Sequence, residues 1–165
     1  LSKTVQNIIM DVREMAYGLR PVELNHLGLV QTIARYCEDF SVKDKLKIDF
    51  FAAGIDDSQM DIDTKIILYR LIQEGLNNIK KHACADNAVI RLVRSFPDII
   101  LRIADNGKGF DVQKQLAKTF NKKQMGLGTM EQRTGFLNGT IKIESRLTQG
   151  TKIMIKFPCM EKKNE

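Results

Sequence analysis

Residues 99–110 read IILRIADNGKGF, and the fold is decided here. An apolar run ends abruptly on Asp105, and the chain then leaves through Asn106, Gly107, Lys108 and Gly109. Apolar residues in a short run bounded by turn residues make a buried strand. That strand carries one carboxylate to the end of a sheet. The glycines permit positive φ and a close approach of backbone to a ligand. A second reading stays open at this point: Asn-Gly is a common turn pair, so the stretch also fits a strand followed by a tight turn.

Working outward, Ala88 to Arg94 pairs with Ile99 to Ala104 as a hairpin around Phe96-Pro97-Asp98. Upstream, Leu46, Ile48 and Phe50 alternate as one face of a half-buried strand. Asp61 begins a long helix, with Asp63 in its first turn and Ile62, Ile66, Tyr69, Leu71 and Ile72 on its buried side. This helix runs to about His82 and ends unusually. Glu74 and Asn78 are four apart, as are Asn78 and His82, and Lys81 lies three beyond Asn78, so these residues share a face. Oxygen donors on such a face suit a hard cation such as Mg²⁺, and a lysine can meet a phosphate. The face reads equally well as solvated surface. A zinc site is disfavoured, with only two histidines and no cysteine at ligand spacing.

Downstream, residues 110–124 have no clear period, and Lys108, Lys114, Lys118, Lys122 and Lys123 make the connection basic. Long connections of this kind often act as lids. Gly126-Leu127-Gly128 closes it. Met130, Arg133, Phe136 and Leu137 then predict a helix up to Asn138-Gly139. Ile141 and Ile143, then Ile153, Ile155 and Phe157, predict two last strands with a turn at Gln149-Gly150. From Leu46 onward the order is strand, helix, two strands, loop, helix, two strands. This order predicts an α/β fold: a two-layer sandwich in which one mixed, mostly antiparallel sheet is covered by helices on one side.

At the start, Val5, Ile8, Ile9, Val12, Met15 and Leu19 recur at helical spacing over residues 1–19, and Gly18 and Pro21 end the pattern. The apolar stripe suits a partner helix. Residues 24–28, LNHLG, read as a turn-rich link, with Asn25 placed to cap the helix that follows and His26 exposed. Leu29, Ile33, Tyr36, Cys37 and Phe40 give that helix its buried stripe.

The chain's 165 residues, 43% hydrophobic, can bury one good core. The net charge of +6 favours anionic partners without choosing among them. Three scattered cysteines, Cys37, Cys84 and Cys159, predict reduced thiols and a cytoplasmic setting. No apolar run reaches membrane-helix length. Leu1 falls inside a helical pattern, so the sequence reads as a piece of a longer protein, one that could be membrane-bound elsewhere. The basic loop lacks interleaved aromatics for stacking bases, which argues against nucleic acid. The GxxxxGK[ST] pattern is absent, which disfavours a P-loop.

Three stretches, taken together, resemble the catalytic, ATP-binding domain of sensor histidine kinases, within the superfamily that includes type II topoisomerase ATPase domains and Hsp90. QEGLNNIKKHA (residues 73–83), DNGKGF (105–110) and GLG (126–128) resemble its three nucleotide boxes in order, and QGTKIMIKFP its closing strand. LRPVELNHLGL (19–29) is similar to the junction between dimerisation helices and ATPase domain in the group typified by nitrate sensors and the membrane-fluidity sensor of Bacillus. The resemblance implies ATP and Mg²⁺ as ligands. It implies that Glu74 orients or polarises the attacking group, that Asn78 holds Mg²⁺, and that Lys81 and His82 lie by the phosphates. Asp105 would accept from the adenine amino group, with Thr151 behind it. Gly107 and Gly109 would let base and ribose lie against backbone, and Gly126, Leu127 and Gly128 would open a helix toward the phosphates.

It further implies residues 1–24 as junction and remnant of a second dimerisation helix, and residues 25–160 as the ATPase domain. The partners it implies are a response regulator receiver domain and, in the full-length protein, a second copy. No nucleic acid or membrane contact is implied for this piece. Neither His26 nor His82 matches the phosphoacceptor, so this chain is not expected to phosphorylate itself. Thr129 after GLG and the lack of an obvious aromatic box in the lid are the departures. The alternative is an ATPase or a nucleotide-binding regulatory module of the same fold.

Overall fold

Strands whose side chains alternate between two environments need one covered face, and this chain supplies the cover with two long helices. The structure is a computed structural model that describes residues 22–112 and 125–159. The predicted stripe over residues 1–19 and most of the basic connection lie outside the described residues. A short helix α1 (Val22–His26) leads into α2 (Gly28–Asp44), then β1 (Lys47–Ala53), a 3-10 turn (Asp57–Gln59) and α3 (Ile62–Asn78). A single π turn (Ile79–Ala83) extends α3. Then come β2 (Asn87–Ser95), β3 (Asp98–Asp105), α4 (Met125–Phe136), β4 (Thr140–Ser145) and β5 (Thr151–Pro158).

The five strands stand in the order β1-β2-β3-β5-β4. β1 and β2 are parallel, because α3 crosses between them, and every other neighbour is antiparallel. The predicted sandwich is therefore the observed one. Register stacks apolar rows across the covered face: Phe50, Ile90, Ile103, Ile153 and Ile143 in one, Ala52, Leu92, Leu101, Ile155 and Ile141 in the next. Leu29 and Ile33 of α2, with Leu68, Leu71, Ile72 and Leu76 of α3, are fully buried against them. Each such side chain contributes about 1.5–3 kcal/mol on leaving water. Gly75 sets the closeness of α3 to the sheet: a Cβ there would lie 2.5 Å from Ile103 Cδ1.

Two local expectations are corrected. Residues 24–28 are not simply a link, since α1 occupies most of them and seats Leu24 in the core at 2% exposure. Nor does Asn25 cap α2. The cap residue is Leu27, without a side-chain cap, and the free Leu29 N–H donates to Asp57 Oδ1 at 2.8 Å. Asp57 lies 28 residues away on the 3-10 turn, where it also pairs with Lys65. A capping rule that looks only at neighbours cannot find such a partner. Asp61 does cap α3, accepting from the Thr64 N–H and hydroxyl, each at 2.8 Å. The helix predicted to reach His82 is α-helical to Asn78 and widens into the π turn before Cys84 reverses at φ 52°.

The cysteines differ sharply in environment. Cys37 is 4% exposed, and burial pushes its thiol up to about 12, helped by the neighbouring Glu38 charge. Cys84 is exposed. With a neutral alkylating reagent at pH 8, Cys84 should react within minutes while Cys37 reacts only on unfolding. Mass mapping of the labelled peptides checks this, and equal labelling of both thiols in the folded protein would contradict the packing of α2.

Candidate active site

The apolar rows of the covered face stop at one end of the sheet, and the next row is polar. Ala88 faces Asp105 across β2 and β3, and Ser145 faces Thr151 across β4 and β5. The β3–β5 register, with Ala104 opposite Lys152, carries on to set Asp105 beside Thr151. The period-2 rule puts all three polar side chains on the same face as Ile103, Ile153 and Ile143. Burial pushes the Asp105 carboxyl above its ordinary value, although the Gly107 and Thr151 backbone amides act against that rise. The Gly107 N–H donates to Asp105 Oδ1 at 2.8 Å.

The turn after Asp105 is held from three sides. Asn106 accepts from the Asn87 N–H at 3.0 Å and donates to Asp86 at 2.6 Å, which locks it to the start of β2. Donors from Asn106 and Asn87 hold the Asp86 carboxyl below the usual carboxylate range. Gly107 lies against the end of the π turn, where a Cβ would come within 2.3 Å of the Ala83 carbonyl oxygen. The same oxygen accepts the Lys108 N–H at 2.8 Å. Gly109 has φ +59° and lies so close to the β4–β5 turn that a Cβ would meet the Arg146 carbonyl at 2.0 Å. The sequence predicts positive φ and a ligand's close approach; of the two glycines the structure gives the positive φ at Gly109 alone, and distant backbone segments of the protein itself leave no room for a side chain at either.

At the far end of α3, Glu74 and Asn78 point to the first turn of α4. A Cβ on Gly126 would lie 2.6 Å from Glu74 Oε1 and 2.8 Å from Asn78 Oδ1. Asn78 Nδ2 contacts Met130 Sδ at 3.8 Å, one helical turn into α4, and this leaves the amide oxygen beside Gly126. Leu127 packs half-buried on the core, whereas a Cβ on Gly128 would meet nothing within 4 Å among the described residues. Lys81 and His82 are exposed on the π turn, and their neighbour Lys80 is taken by an ion pair with Asp44. The structure thus forms two polar groups: Asp105 with Thr151 at the sheet end, and Glu74, Asn78 and Gly126 between two helices. The π turn connects them through Ala83. Single π turns inside helices often mark functional sites.

Chemically, a carboxylate and an amide oxygen beside a helix N-terminus suit a hydrated Mg²⁺ carrying phosphates, which takes one or two protein oxygens and keeps several waters. No group of three or more His, Cys, Asp or Glu side chains able to hold a metal by themselves occurs among the described residues. Among those residues, no helix is long and apolar enough to cross a membrane. Sequence reasoning missed Ser145 and the Asp86–Asn106 lock. Ser145 was within reach, because it continues the Ile141, Ile143 alternation onto the covered face.

The fold defines a class, the two-layer α/β sandwich with one mixed, mostly antiparallel sheet, and here polar side chains gather at one end of that sheet. Residues 63–161 match the family described as histidine kinase-, DNA gyrase B-, and HSP90-like ATPase. The chain belongs to that family. It is similar to the signal transduction histidine-protein kinase/phosphatase DegS of Brevibacillus brevis, at 32% identity over 96% of this chain and 39% of the relative. DegS of Bacillus subtilis is 36% identical over 84% of this chain and 36% of its own length. The chain therefore spans well under half of these relatives. Among solved structures, the ATP binding domain of PrrB from Mycobacterium tuberculosis shares the fold at TM-score 0.64 and 18% identity, over 80% of this chain and 94% of that one. The histidine kinase AdeS of Acinetobacter baumannii shares it at TM-score 0.63 and 15% identity, over 95% of this chain and 79% of that one.

Proposed function

We propose that this chain is the catalytic domain of a sensor histidine kinase, which binds Mg-ATP and donates the γ-phosphoryl group to a histidine on a dimerisation helix. The phosphoryl group then passes to an aspartate of a response regulator receiver domain, and the working protein is a homodimer. The supporting observation is the seat of Gly126 on Glu74 and Asn78, which joins the first and third boxes at one point. Residues 1–24 form the junction and the end of the dimerisation bundle in this reading, and 25–160 the ATPase domain. The LRPVELNHLGL junction supports the nitrate-sensor-like group.

Each side chain has a role in this reading. Asp105 accepts from the adenine amino group, with Thr151 beside it. The backbone at Gly107 and Gly109 admits base and ribose. Asn78 holds the metal through its amide oxygen, and Glu74 orients the attacking imidazole. Lys81 and His82 approach the phosphates from the π turn, and Gly126, Leu127 and Gly128 turn the first N–H groups of α4 toward them. Mg²⁺, when bound, supplies neutralisation of charge on the β- and γ-phosphates. Catalysis then rests on positioning, since the transferred group needs little covalent help from the protein.

Isothermal calorimetry with ATP, with and without Mg²⁺, tests the binding, and γ-labelled ATP tests the transfer. The expected result is Mg²⁺-dependent ATP binding and no acid-labile label on the chain itself, because His82 shares a rigid helix end with Asn78 and His26 lies before α2. Adding a protein that carries the dimerisation helices should produce acid-labile, alkali-stable label on that partner. Binding followed by phosphate release alone would favour the ATPase reading. Absence of nucleotide binding at millimolar concentration would refute both.

A further inference from the structure

Ser145 contacts more of the sheet end than any reading of the nucleotide boxes explains. Its hydroxyl oxygen receives the Phe110 N–H at 2.9 Å, lies 3.0 Å from the Gly150 carbonyl oxygen and lies 3.0 Å from Thr151 Oγ1. A serine hydroxyl has one proton and two lone pairs. One arrangement uses all three: the proton goes to the Gly150 carbonyl, one lone pair takes the Phe110 N–H, and the other takes the Thr151 proton. The reverse arrangement, with Ser145 donating to Thr151, takes this donor from the carbonyl of Gly150, which is buried. A buried carbonyl without a donor is costly, so the first arrangement holds.

Its consequence reaches the neighbouring strand. Thr151 gives its proton to Ser145 and turns only lone pairs toward whatever lies beside Asp105. The Asp105 side chain, when ionised, is itself only an acceptor. Two adjacent strands therefore present a wall that accepts hydrogen bonds and donates none through its side chains.

We propose that Ser145 is a positioning residue for base selection: by holding the Thr151 proton it keeps this wall acceptor-only, so that the site takes a purine with a two-proton amino group and rejects one with a carbonyl there. The proposal rests on the nucleotide reading above. The amino group of adenine has a proton for Asp105 and another for Thr151. The carbonyl of hypoxanthine meets acceptors alone. Loss of the Ser145 hydroxyl frees the Thr151 proton, and Thr151 can then donate to that carbonyl.

Calorimetric titration of ADP and IDP in Mg²⁺ tests this on the wild type, Ser145→Ala, Ser145→Cys and Ser145→Thr. The expected preference of the wild type for ADP falls about fivefold in Ser145→Ala, chiefly because IDP tightens, in keeping with one net hydrogen bond. Ser145→Cys, close to isosteric and weaker as donor and acceptor, shifts the preference in the same direction by less, and Ser145→Thr restores it. An unchanged ADP-to-IDP ratio in the alanine and cysteine variants overturns the proposal while leaving the nucleotide site intact. Equal weakening of both ligands overturns it too, since a merely structural role moves both together. A wild type that binds neither nucleotide overturns the nucleotide reading and this inference with it.

Discussion

Asp105→Asn is expected to weaken ADP and ATP by roughly ten- to hundredfold while leaving the affinity for inorganic triphosphate nearly unchanged. A hydrogen bond to a charged acceptor is worth about 1.5–3 kcal/mol, which sets that range. Triphosphate lacks the base and would not touch the sheet end. The same substitution should change stability in the opposite direction. Burial holds the Asp105 carboxyl above its ordinary value of 3.8, so the folded protein binds that proton more tightly than the unfolded chain. The resulting contribution to stability is present in acid and is lost as pH rises through the folded value. Above the folded value the buried charge is a cost, and asparagine removes it. Denaturant titrations should therefore show the variant gaining on the wild type as pH rises from the ordinary value of 3.8 through the folded value. Site residues commonly oppose stability in this way. Equal loss of affinity for ADP and triphosphate would falsify an adenine role for Asp105.

Gly126→Ala should separate folding from binding more cleanly. Alanine is favoured over glycine in a helix by about 1 kcal/mol, so α4 should form at least as well. The new methyl group would sit 2.6 Å from Glu74 Oε1 and 2.8 Å from Asn78 Oδ1. Both contacts are with the ends of flexible side chains, which can swing away without moving backbone. The expected outcome is an unchanged or raised melting midpoint with a loss of about ten- to hundredfold in the Mg²⁺-dependent part of nucleotide binding, the range seen when a ligand's supporting contacts are removed. Titration in Mg²⁺ and again in EDTA reads this directly. If the loss is the same in EDTA, the Glu74–Asn78 pair is not where the metal is held. A lowered midpoint would mean that Gly126 is required by packing alone. By contrast, a Cβ on Gly128 would meet no atom of the described residues within 4 Å, so alanine there should leave the melting midpoint unchanged or raised.

Much of this chain is legible residue by residue. Alternation fixes which side of each strand is covered, and 3.6-residue spacing fixes the buried stripes of α2 and α3, because both signals are local geometry repeated along the chain. Asp61 as a cap, the hairpin around residues 96–97 and the end of α4 at Asn138-Gly139 follow from the same local chemistry. Asn138 does take the left-handed conformation, at φ 51°. The three boxes were also visible as motifs, and the order of elements around them was enough for the sandwich and the family.

The partners of those residues were not legible. Asp57 caps a helix that begins 28 residues earlier. Gly107 and Gly109 are obliged to be glycine by the carbonyls of Ala83 and Arg146, and Gly126 abuts side chains on another helix. The Ser145 hydroxyl joins Phe110, Gly150 and Thr151, which come together only when β4 pairs with β5 beside β3. By itself the sequence determined the elements, their covered faces and the family to which they belong. Tertiary structure alone decided which polar groups meet, because that outcome depends on register and crossover between segments far apart in the chain, and no local period carries that information.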